Sequence, residues 1–361
     1  MGSNIEDNPV AGSNNVDNRI AGALTFPARN EEPVPVQPRQ PTNLQGLLRF
    51  AMEATKAEDA PENSQLGPMD EERRKFLEEA LKSLTVDVVQ VLQNAIKVLT
   101  DSEKMSSIQL GDTLPEDVET AFNNIMEFID DIDVANDFHK LGGFAIFPIC
   151  YGSENEVVRA KASQVLAELC QNNPQCQSLA LESGVLNVLL HLASTEAGNT
   201  LAKCIMAISC ASREFEPACK ELTAQGGCEV LAQVLKSPDS AARTKAAFLI
   251  RYLCHHHAEA KEKFIQLNLV KVITEQIKSG RDDNSEHLLS ILESLLEGLD
   301  PTILQQCRDP SLDLKNVLEN HLKHPELQDN TFMEEKEYCQ AILKVFEDYP
   351  QREDANDEVD R

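Results

Sequence analysis

The residues of this sequence with the most evident capacity for chemistry are Cys254, His255, His256 and His257, which directly follow one another. Thiolates and imidazoles are the ligands that zinc prefers, but a zinc site needs ligands that converge with a defined spacing. Three consecutive histidines at a helix end point in different directions. We therefore expect no metal site at this cluster.

Other signatures of catalysis are also missing from the sequence. It contains no phosphate-binding loop, no dinucleotide glycine fingerprint and no zinc-protease helix motif. Its many neighbouring carboxylates fall on polar helix faces, and its ten cysteines occupy apolar helical positions without any Cys-x-x-Cys pair. We predict that the protein is not an enzyme and has no catalytic, cofactor-binding or metal-binding residues.

The charge balance narrows the classes of partner. A formal net charge of −27 argues against nucleic acid and against anionic membrane surfaces, because both attract basic proteins. No apolar run approaches the roughly 20 residues that span a bilayer. The N-terminal sequence has no secretory pattern, so we expect a cytoplasmic protein, with the nucleus as the alternative.

A positive charge returns at a fixed spacing and organises the rest of the chain. Lys161, Lys203 and Lys245 are 42 residues apart, and each precedes a small residue and an apolar helical run. Glu119 and His287 occupy the same register one step earlier and one step later. Helical self-similarity at about 40–47 residues is typical of armadillo and HEAT arrays. The predicted fold is all-α: an armadillo-repeat solenoid, curved as a right-handed superhelix, with helical caps at both ends.

Turn residues support the same period. Gly143, Gly184, Gly227 and Asn268 follow the first helix of four repeats at spacings of 41, 43 and 41 residues. Glycine ends a helix in the left-handed conformation at low cost, and asparagine is the next best residue there. Each repeat is thus predicted to contain a short first helix, a second helix and a longer third helix that carries the register residue.

This pattern divides the chain into five predicted parts. They are a disordered N-terminal arm (1–66) with a Leu-rich motif at 43–52, N-terminal capping helices (67–111), armadillo repeats (112–300), a C-terminal capping repeat (301–347) and an acidic tail (348–361). Within the N-terminal cap we expect a helix from Val86 to Leu99 and then a polar loop from Asp101 to Gly111.

The Leu-rich motif is a short amphipathic pattern on a flexible tether. Its apolar residues are Leu44, Leu47, Leu48 and Phe50. A helix this short is marginal by itself. It either docks on the folded body or is offered to a partner.

The third helices of armadillo repeats line a concave groove, and positions three and seven after the register residue are expected to point into it. Those positions hold Phe122, Met126, Gln164, Glu168, Met206, Cys210, Phe248, Tyr252, Ser290 and Ser294. The basic residues predicted to lie beside them are Arg159, Lys161, Lys203, Arg243, Lys245 and Arg251.

The predicted groove is therefore a mixed apolar and basic surface, which suits a folded, acidic partner domain. Grooves that hold extended peptides present ladders of Asn and Trp, but this chain has no Trp and no Asn at these positions. Two alternatives remain for individual residues: each aromatic side chain could belong to the core between repeats, and each lysine to a solvated flank.

Several motifs resemble the Hsp70-binding protein family of cytosolic nucleotide exchange factors. They are NLQGLL (43–48), PMDEERRKFL (68–77), ANDFHKLG (135–142), KAAFL (245–249), CRDPSLDL (307–314) and EYCQAIL (337–343). The resemblance runs from about residue 43 to the last helix and does not cover residues 1–41.

The resemblance implies a function without a catalytic side chain. It implies that the concave armadillo face grips one lobe of the ATPase domain of heat-shock protein 70, opens the nucleotide cleft and releases ADP. A ligand favours one state only through differential affinity for it, so binding alone suffices. The resemblance also implies that the N-terminal arm contacts the substrate-binding domain and assists client release. The alternative function is an armadillo adaptor or scaffold that binds peptides.

Overall fold

The computed structural model describes residues 86–349 and, before them, the helical residue Lys75. By its contacts the chain divides after Val86, and every helix bounded below belongs to the unit that begins at Asp87. The predicted arm with its Leu-rich motif, the first capping helix apart from Lys75, and the tail beyond residue 349 lie outside the described residues.

Residues 86–349 form eighteen α-helices and no strand, so the predicted all-α class is confirmed. The helices are α1 Val88–Leu99, α2 Ser102–Ser107, α3 Glu116–Phe128, α4 Ile132–Lys140, α5 Ile146–Tyr151, α6 Glu156–Cys170, α7 Pro174–Glu182, α8 Val185–Thr195, α9 Gly198–Ser212, α10 Glu216–Ala224, α11 Gly227–Val234, α12 Ser240–His256, α13 Ala258–Gln266, α14 Leu269–Ser279, α15 Ser285–Leu296, α16 Pro301–Cys307, α17 Leu314–His321 and α18 Met333–Asp348. Three short 3-10 turns are Gly143–Ala145, Pro325–Gln328 and Asn330–Phe332.

The helices stack by type along the array. The third helices α3, α6, α9, α12, α15 and α18 pack on one another in chain order. The second helices α1, α5, α8 and α11 do the same, as do the first helices α4, α7 and α10. Because each helix buries its apolar side against its counterparts, the buried side chains form one continuous core from Leu92 to Ile342.

Helix starts follow from local capping chemistry. The side chains of Asp87, Asp101, Asp131, Asn155 and Asp239 each accept a hydrogen bond from a backbone N–H two or three residues further on. Such a cap stabilises a helix by about 1 kcal/mol. These starts are readable from sequence because the capping residue and the N–H it satisfies are neighbours in the chain.

The predicted polar loop from Asp101 to Gly111 is wrong in its first half, where α2 forms. Asp101 caps this helix by accepting from the Lys104 backbone N–H at 3.1 Å. Met105 is its one buried side chain and belongs to the core. A cap and a single apolar anchor are sufficient for one and a half turns, and such a short signal has no helical period to detect.

The turns after the first helices repeat at a constant spacing of 42 residues. The residues with left-handed backbone are Gly142, Gly184, Gly226 and Asn268, with φ between 52° and 83°, and they are 42 residues apart throughout. At two of the four turns the predicted residue was therefore one position late. Gly143 and Gly227 have another role, because a Cβ on Gly143 would lie 2.3 Å from the Phe138 ring.

The C-terminal end of the stack is closed by a buried ionic cluster. Arg281, in the loop after α14, donates to Glu335 of α18 at 2.8 Å, and the His321 Nε2 atom lies 2.7 Å from the other oxygen of the same carboxylate. Burial alone would raise the pKa of Glu335, but the hydrogen bonds with His321 and Arg281 outweigh it and hold that pKa below its ordinary value. The cluster thus joins the loop between α14 and α15 to the last helix, α18.

No single helix within residues 86–349 combines the length and apolar character needed to cross a membrane. Among the described helices, only α7 and α8 counted together, which meet at a bend of 78°, would satisfy that test.

A glycine packed against its neighbours and a glycine with left-handed backbone should differ in their tolerance of a side chain, and Gly227 and Gly184 are examples from two different turns. Gly227→Ala would place a Cβ 2.6 Å from the Leu222 carbonyl oxygen, and we expect it to lower the free energy of unfolding by roughly 2–3 kcal/mol. Gly184→Ala meets no atom within 4 Å, so only its left-handed backbone, at φ 71°, costs about 1 kcal/mol. Urea denaturation followed by circular dichroism measures both, and an equal or larger loss for Gly184→Ala would contradict the assignment.

Candidate protein-binding face

The register residues form a column across the third helices, here called the register column: Glu119, Lys161, Lys203, Lys245 and His287. The Lys161 amine donates to the Glu119 carboxylate at 2.8 Å, which joins two residues that are 42 positions apart. Burial, and then the charges of Lys245 and Lys161, lower the pKa of Lys203. The structure therefore brings the three lysines within electrostatic reach of one another.

The three lysines of the register column differ in their ion pairing. Lys161 is neutralised by Glu119, but neither Lys203 nor Lys245 has an ion-pair partner within residues 86–349. Both lysines are half-buried. In a chain of net charge −27, they form a local cationic spot in the middle of the column.

The surface predicted to line the groove, here called the third-helix face, is only partly accessible. Phe248 is the most exposed of its large apolar residues, at 45%. The half-buried members are Met126, Gln164, Glu168, Met206, Cys210 and Tyr252.

The prediction that Phe122 lines the groove is wrong. Its side chain is 1% exposed and belongs to the core between α1 and α3. No partner can reach it there, and the alternative of a core aromatic holds at this position. Ser290 and Ser294 are also buried, and their hydroxyls bond back to the backbone carbonyls of His287 and Ser290. The ends of the array differ from its middle because α1 and α18 pack against the adjoining third helices.

Arg159 and Arg243, which are 84 residues apart and thus in equivalent positions, lie in the joints between repeats. The Arg159 Nε atom donates to Glu196 at 2.5 Å, and the Arg243 Nη2 atom donates to Asp282 at 2.7 Å. Each acceptor precedes the next third helix along the chain. Both guanidinium groups are thus largely buried and are neutralised within the protein.

Aromatic and cationic side chains alternate in the C-terminal half of the third-helix face. The Phe248 ring lies 4.7 Å from the His287 ring, and the Arg251 guanidinium lies 5.4 Å from the centre of the Tyr338 ring. Burial first, and then the charge of Arg251, lowers the pKa of His287. The neutral imidazole therefore extends the apolar surface that begins at Phe248.

The charge of the third-helix face changes sign along its length, from positive in the middle to negative in the last repeats. Burial, and then the carboxylates of Glu334 and Glu335, raise the pKa of Glu286 next to His287. Carboxylates thus gather around Arg251 in the last repeats, whereas unpaired lysines occupy the middle. Sequence reasoning missed Glu286, Glu334 and Tyr338, although the His287 position in the register pointed to this region.

The Cys-His cluster has structural roles at the end of α12. His255 lies 3.0 Å from both the Glu297 carboxylate and the Ser294 hydroxyl, through its two ring nitrogens. The His256 ring lies 4.6 Å from the Tyr252 ring. Burial raises the pKa of Cys254 to about 12. Across the part of the chain that the structure describes, no three metal-ligating side chains converge.

Comparison with known proteins points to one family. A family model described as the SIL1/FES1/HPBP1 C-terminal domain matches residues 134–352, and one described as nucleotide exchange factor Fes1 matches residues 44–138. Hsp70-binding protein 1 of Rattus norvegicus is 28% identical over 315 residues, which are 85% of this chain and 87% of the relative. The human protein of the same name is 28% identical over 329 residues, with 90% and 89% covered.

Solved structures confirm the predicted armadillo fold. A computationally designed armadillo repeat protein for modular peptide recognition superposes with a TM-score of 0.56 at 12% identity, over 70% of this chain and 99% of the designed chain. At such low identity the likeness concerns the fold alone.

The joint between α6 and the loop that precedes α9, formed by Arg159 and Glu196, is a testable source of stability. The side chains of Arg159 and Glu196 are 13% and 12% exposed, so Arg159→Met would leave a carboxylate largely buried without its partner. We expect a loss of roughly 3 kcal/mol in the free energy of unfolding. The double variant Arg159→Met/Glu196→Gln should lose less than the single variant, as measured in a double-mutant cycle. Additive losses would contradict a coupled pair.

Proposed function

Because the chain belongs to the SIL1/FES1/HPBP1 family, we propose that it is a co-chaperone that acts as a nucleotide exchange factor for Hsp70. The names of the matched family model and relatives, nucleotide exchange factor Fes1 and Hsp70-binding protein 1, support both halves of this proposal. The protein binds the chaperone and changes its nucleotide affinity, and it performs no chemistry of its own.

The observation that carries the proposal is the cationic and aromatic centre of the third-helix face. Lys203 and Lys245 are unpaired within residues 86–349, and Phe248 is exposed beside them, one turn after Lys245. Charged groups that lack an internal partner, next to an exposed aromatic ring, favour contact with an acidic and partly apolar protein surface. The ATPase domain of Hsp70 is the partner that we assign to this face.

Binding can drive exchange by differential affinity alone. If the face binds a lobe of the ATPase domain about 100-fold more tightly when the cleft is open, the affinity for ADP falls by the same factor. That coupling corresponds to roughly 2.7 kcal/mol and requires no proton transfer or nucleophile. A face that is held in place by ion pairs between repeats, such as Arg159–Glu196 and Arg243–Asp282, would lose little conformational entropy on binding.

The N-terminal arm is proposed to assist client release. The Leu-rich motif of Leu44, Leu47, Leu48 and Phe50 would contact the substrate-binding domain of the chaperone as a short apolar segment. We place the protein in the cytoplasm, which is supported by its ten unpaired cysteines.

Charge reversal in the middle of the register column should weaken exchange. Lys203→Glu/Lys245→Glu removes two attractions and adds two repulsions, and we expect roughly 10- to 100-fold weaker binding to the Hsp70 ATPase domain. Release of a fluorescent ADP analogue at increasing concentrations of the chain measures the effect.

The matched control is Lys140→Glu/Lys220→Glu, which changes the net charge equally but alters two exposed lysines outside the column. It should leave nucleotide release unchanged. Equal weakening by both double variants would mean that net charge, and not the third-helix face, controls binding. No acceleration by the unaltered chain at saturation would refute exchange activity.

Deletion of residues 1–66 should separate the two activities. Nucleotide release should be retained, because the third-helix face is intact, whereas release of a model client peptide from Hsp70 should slow. Fluorescence anisotropy of a labelled peptide reports the second activity. Loss of both activities together in a folded deletion variant would contradict an independent arm.

A further inference from the structure

The last helix, α18, is attached to the array by few buried side chains. Of its sixteen residues only Glu335, Cys339 and Ile342 are buried, whereas nine of the twelve residues of the adjoining α15 are. Within the described residues α18 packs on a third helix, α15, on one side only. Its docking therefore depends on a small number of contacts.

One of the three buried side chains of α18 is a carboxylate. Glu335 is 1% exposed, and it is held by Arg281 from the loop before α15 and by His321 from α17, at 2.8 Å and 2.7 Å. These three residues are here called the latch cluster. The side chains of Arg281 and His321 are themselves 7% and 3% exposed. Removing one partner of a buried ion pair is strongly destabilising, so the docking of α18 is sensitive to this carboxylate.

A side chain of α12 reaches α18 across the third-helix face. The Arg251 guanidinium lies 5.4 Å from the centre of the Tyr338 ring of α18, although α15 lies between the two helices in the stack. His287 of α15 is within electrostatic reach of both Arg251 and Glu334, and so is Tyr338. Arg251 is thus directed toward an aromatic ring and a carboxylate of α18.

We propose that α18 is an autoinhibitory lid at the end of the third-helix face, held closed by the latch cluster. In the closed state Tyr338 and Glu334 of α18 occupy Arg251. In the open state Arg251 is released and joins Lys203 and Lys245 as a third cation that an acidic partner can contact.

Opening changes the affinity of the face for an acidic surface in two ways. It moves the Glu334 carboxylate away, and it frees the Arg251 guanidinium. Both changes make the face more positive, which improves its complementarity to negative charge. If the partner binds the open state more tightly, its apparent affinity is reduced by the fraction of molecules that are closed. This effect on binding rests on the proposed function, whereas the opening of α18 does not.

The lid contains its own reporter of opening. Cys339 is fully buried, and its thiol donates to the Leu318 carbonyl oxygen of α17 at 3.4 Å. Burial raises the pKa of Cys339 to about 12, so the docked thiol is unreactive. Cys204, equally buried on α9 in the middle of the array, reports opening of the array as a whole.

The first test compares the two thiols within one molecule. The folded full-length chain is treated with a water-soluble maleimide, and modification of each cysteine is followed over time by mass spectrometry. We expect Cys339 to be labelled at least about tenfold faster than Cys204. A rate for Cys339 equal to or below that of Cys204 would mean that α18 opens only together with the array, which would overturn the proposal.

Two matched variants test the latch cluster. Glu335→Gln removes the buried charge, and Glu337→Gln makes the same change at an exposed site two residues further along α18. Glu335→Gln should raise the labelling rate of Cys339 at least about tenfold and leave that of Cys204 unchanged. Glu337→Gln should change neither rate. An equal increase at both thiols in Glu335→Gln would show general destabilisation instead of a lid.

The final comparison tests autoinhibition. Glu335→Gln should lower the concentration of the chain required for half-maximal ADP release from Hsp70 by about threefold or more. The same substitution made in an Arg251→Gln background should give no such gain. A higher required concentration for Glu335→Gln, or an equal gain without Arg251, would refute the lid. If the unaltered chain does not accelerate ADP release, the proposed function fails, while the labelling of Cys339 still decides whether α18 opens.

Discussion

The rest of the structure depends on the stacking of one repeat upon the next. No repeat can bury its apolar faces alone, and several polar groups at each joint are satisfied only by the adjacent unit. Asn155, the N-cap of α6, donates to the carbonyls of Gln109 and Asp112 ahead of α3, and Asn284 forms hydrogen bonds with Ser240 and Thr244 across a later joint. A joint that opens would expose both a hydrophobic surface and these unsatisfied polar groups. The array is therefore cohesive along its length.

Stacking also determines which charges remain available to a partner. Arg159 and Arg243 are used to hold consecutive repeats together, and Lys161 is paired with Glu119. What stays unpaired in the column within the described range is Lys203 and Lys245, followed by the exposed Phe248. The candidate face thus consists of the side chains that are not used in contacts between repeats. Because few charged side chains remain, a single substitution among them should have a clear effect.

The same arrangement explains why an exchange factor needs no active site. A rigid array with a cationic and aromatic centre can favour one conformation of a partner through contact alone, and the free energy comes from differential binding. The acidic surroundings sharpen this selectivity, since Glu286 and Glu334 would repel a partner acidic along its whole length. If the third-helix face binds a partner as proposed, the partner surface should have one acidic region, opposite Lys203 and Lys245, and less negative charge opposite the last repeats.

The sequence by itself determined the helical class, the 42-residue period, the register column and the family resemblance. Helical periodicity, N-capping and left-handed turns depend on residues within about one turn of each other, so they can be read directly from the chain. Only the tertiary structure decided that Phe122 is core, that Arg159 and Arg243 are joints, and that Lys161 is paired whereas Lys203 is not. The ion-pair partners of Arg159, Arg243 and Lys161 lie 37 to 42 residues away. Burial and ion pairing depend on many residues that are distant in the sequence. The type and register position of a residue therefore do not show whether it is buried or paired.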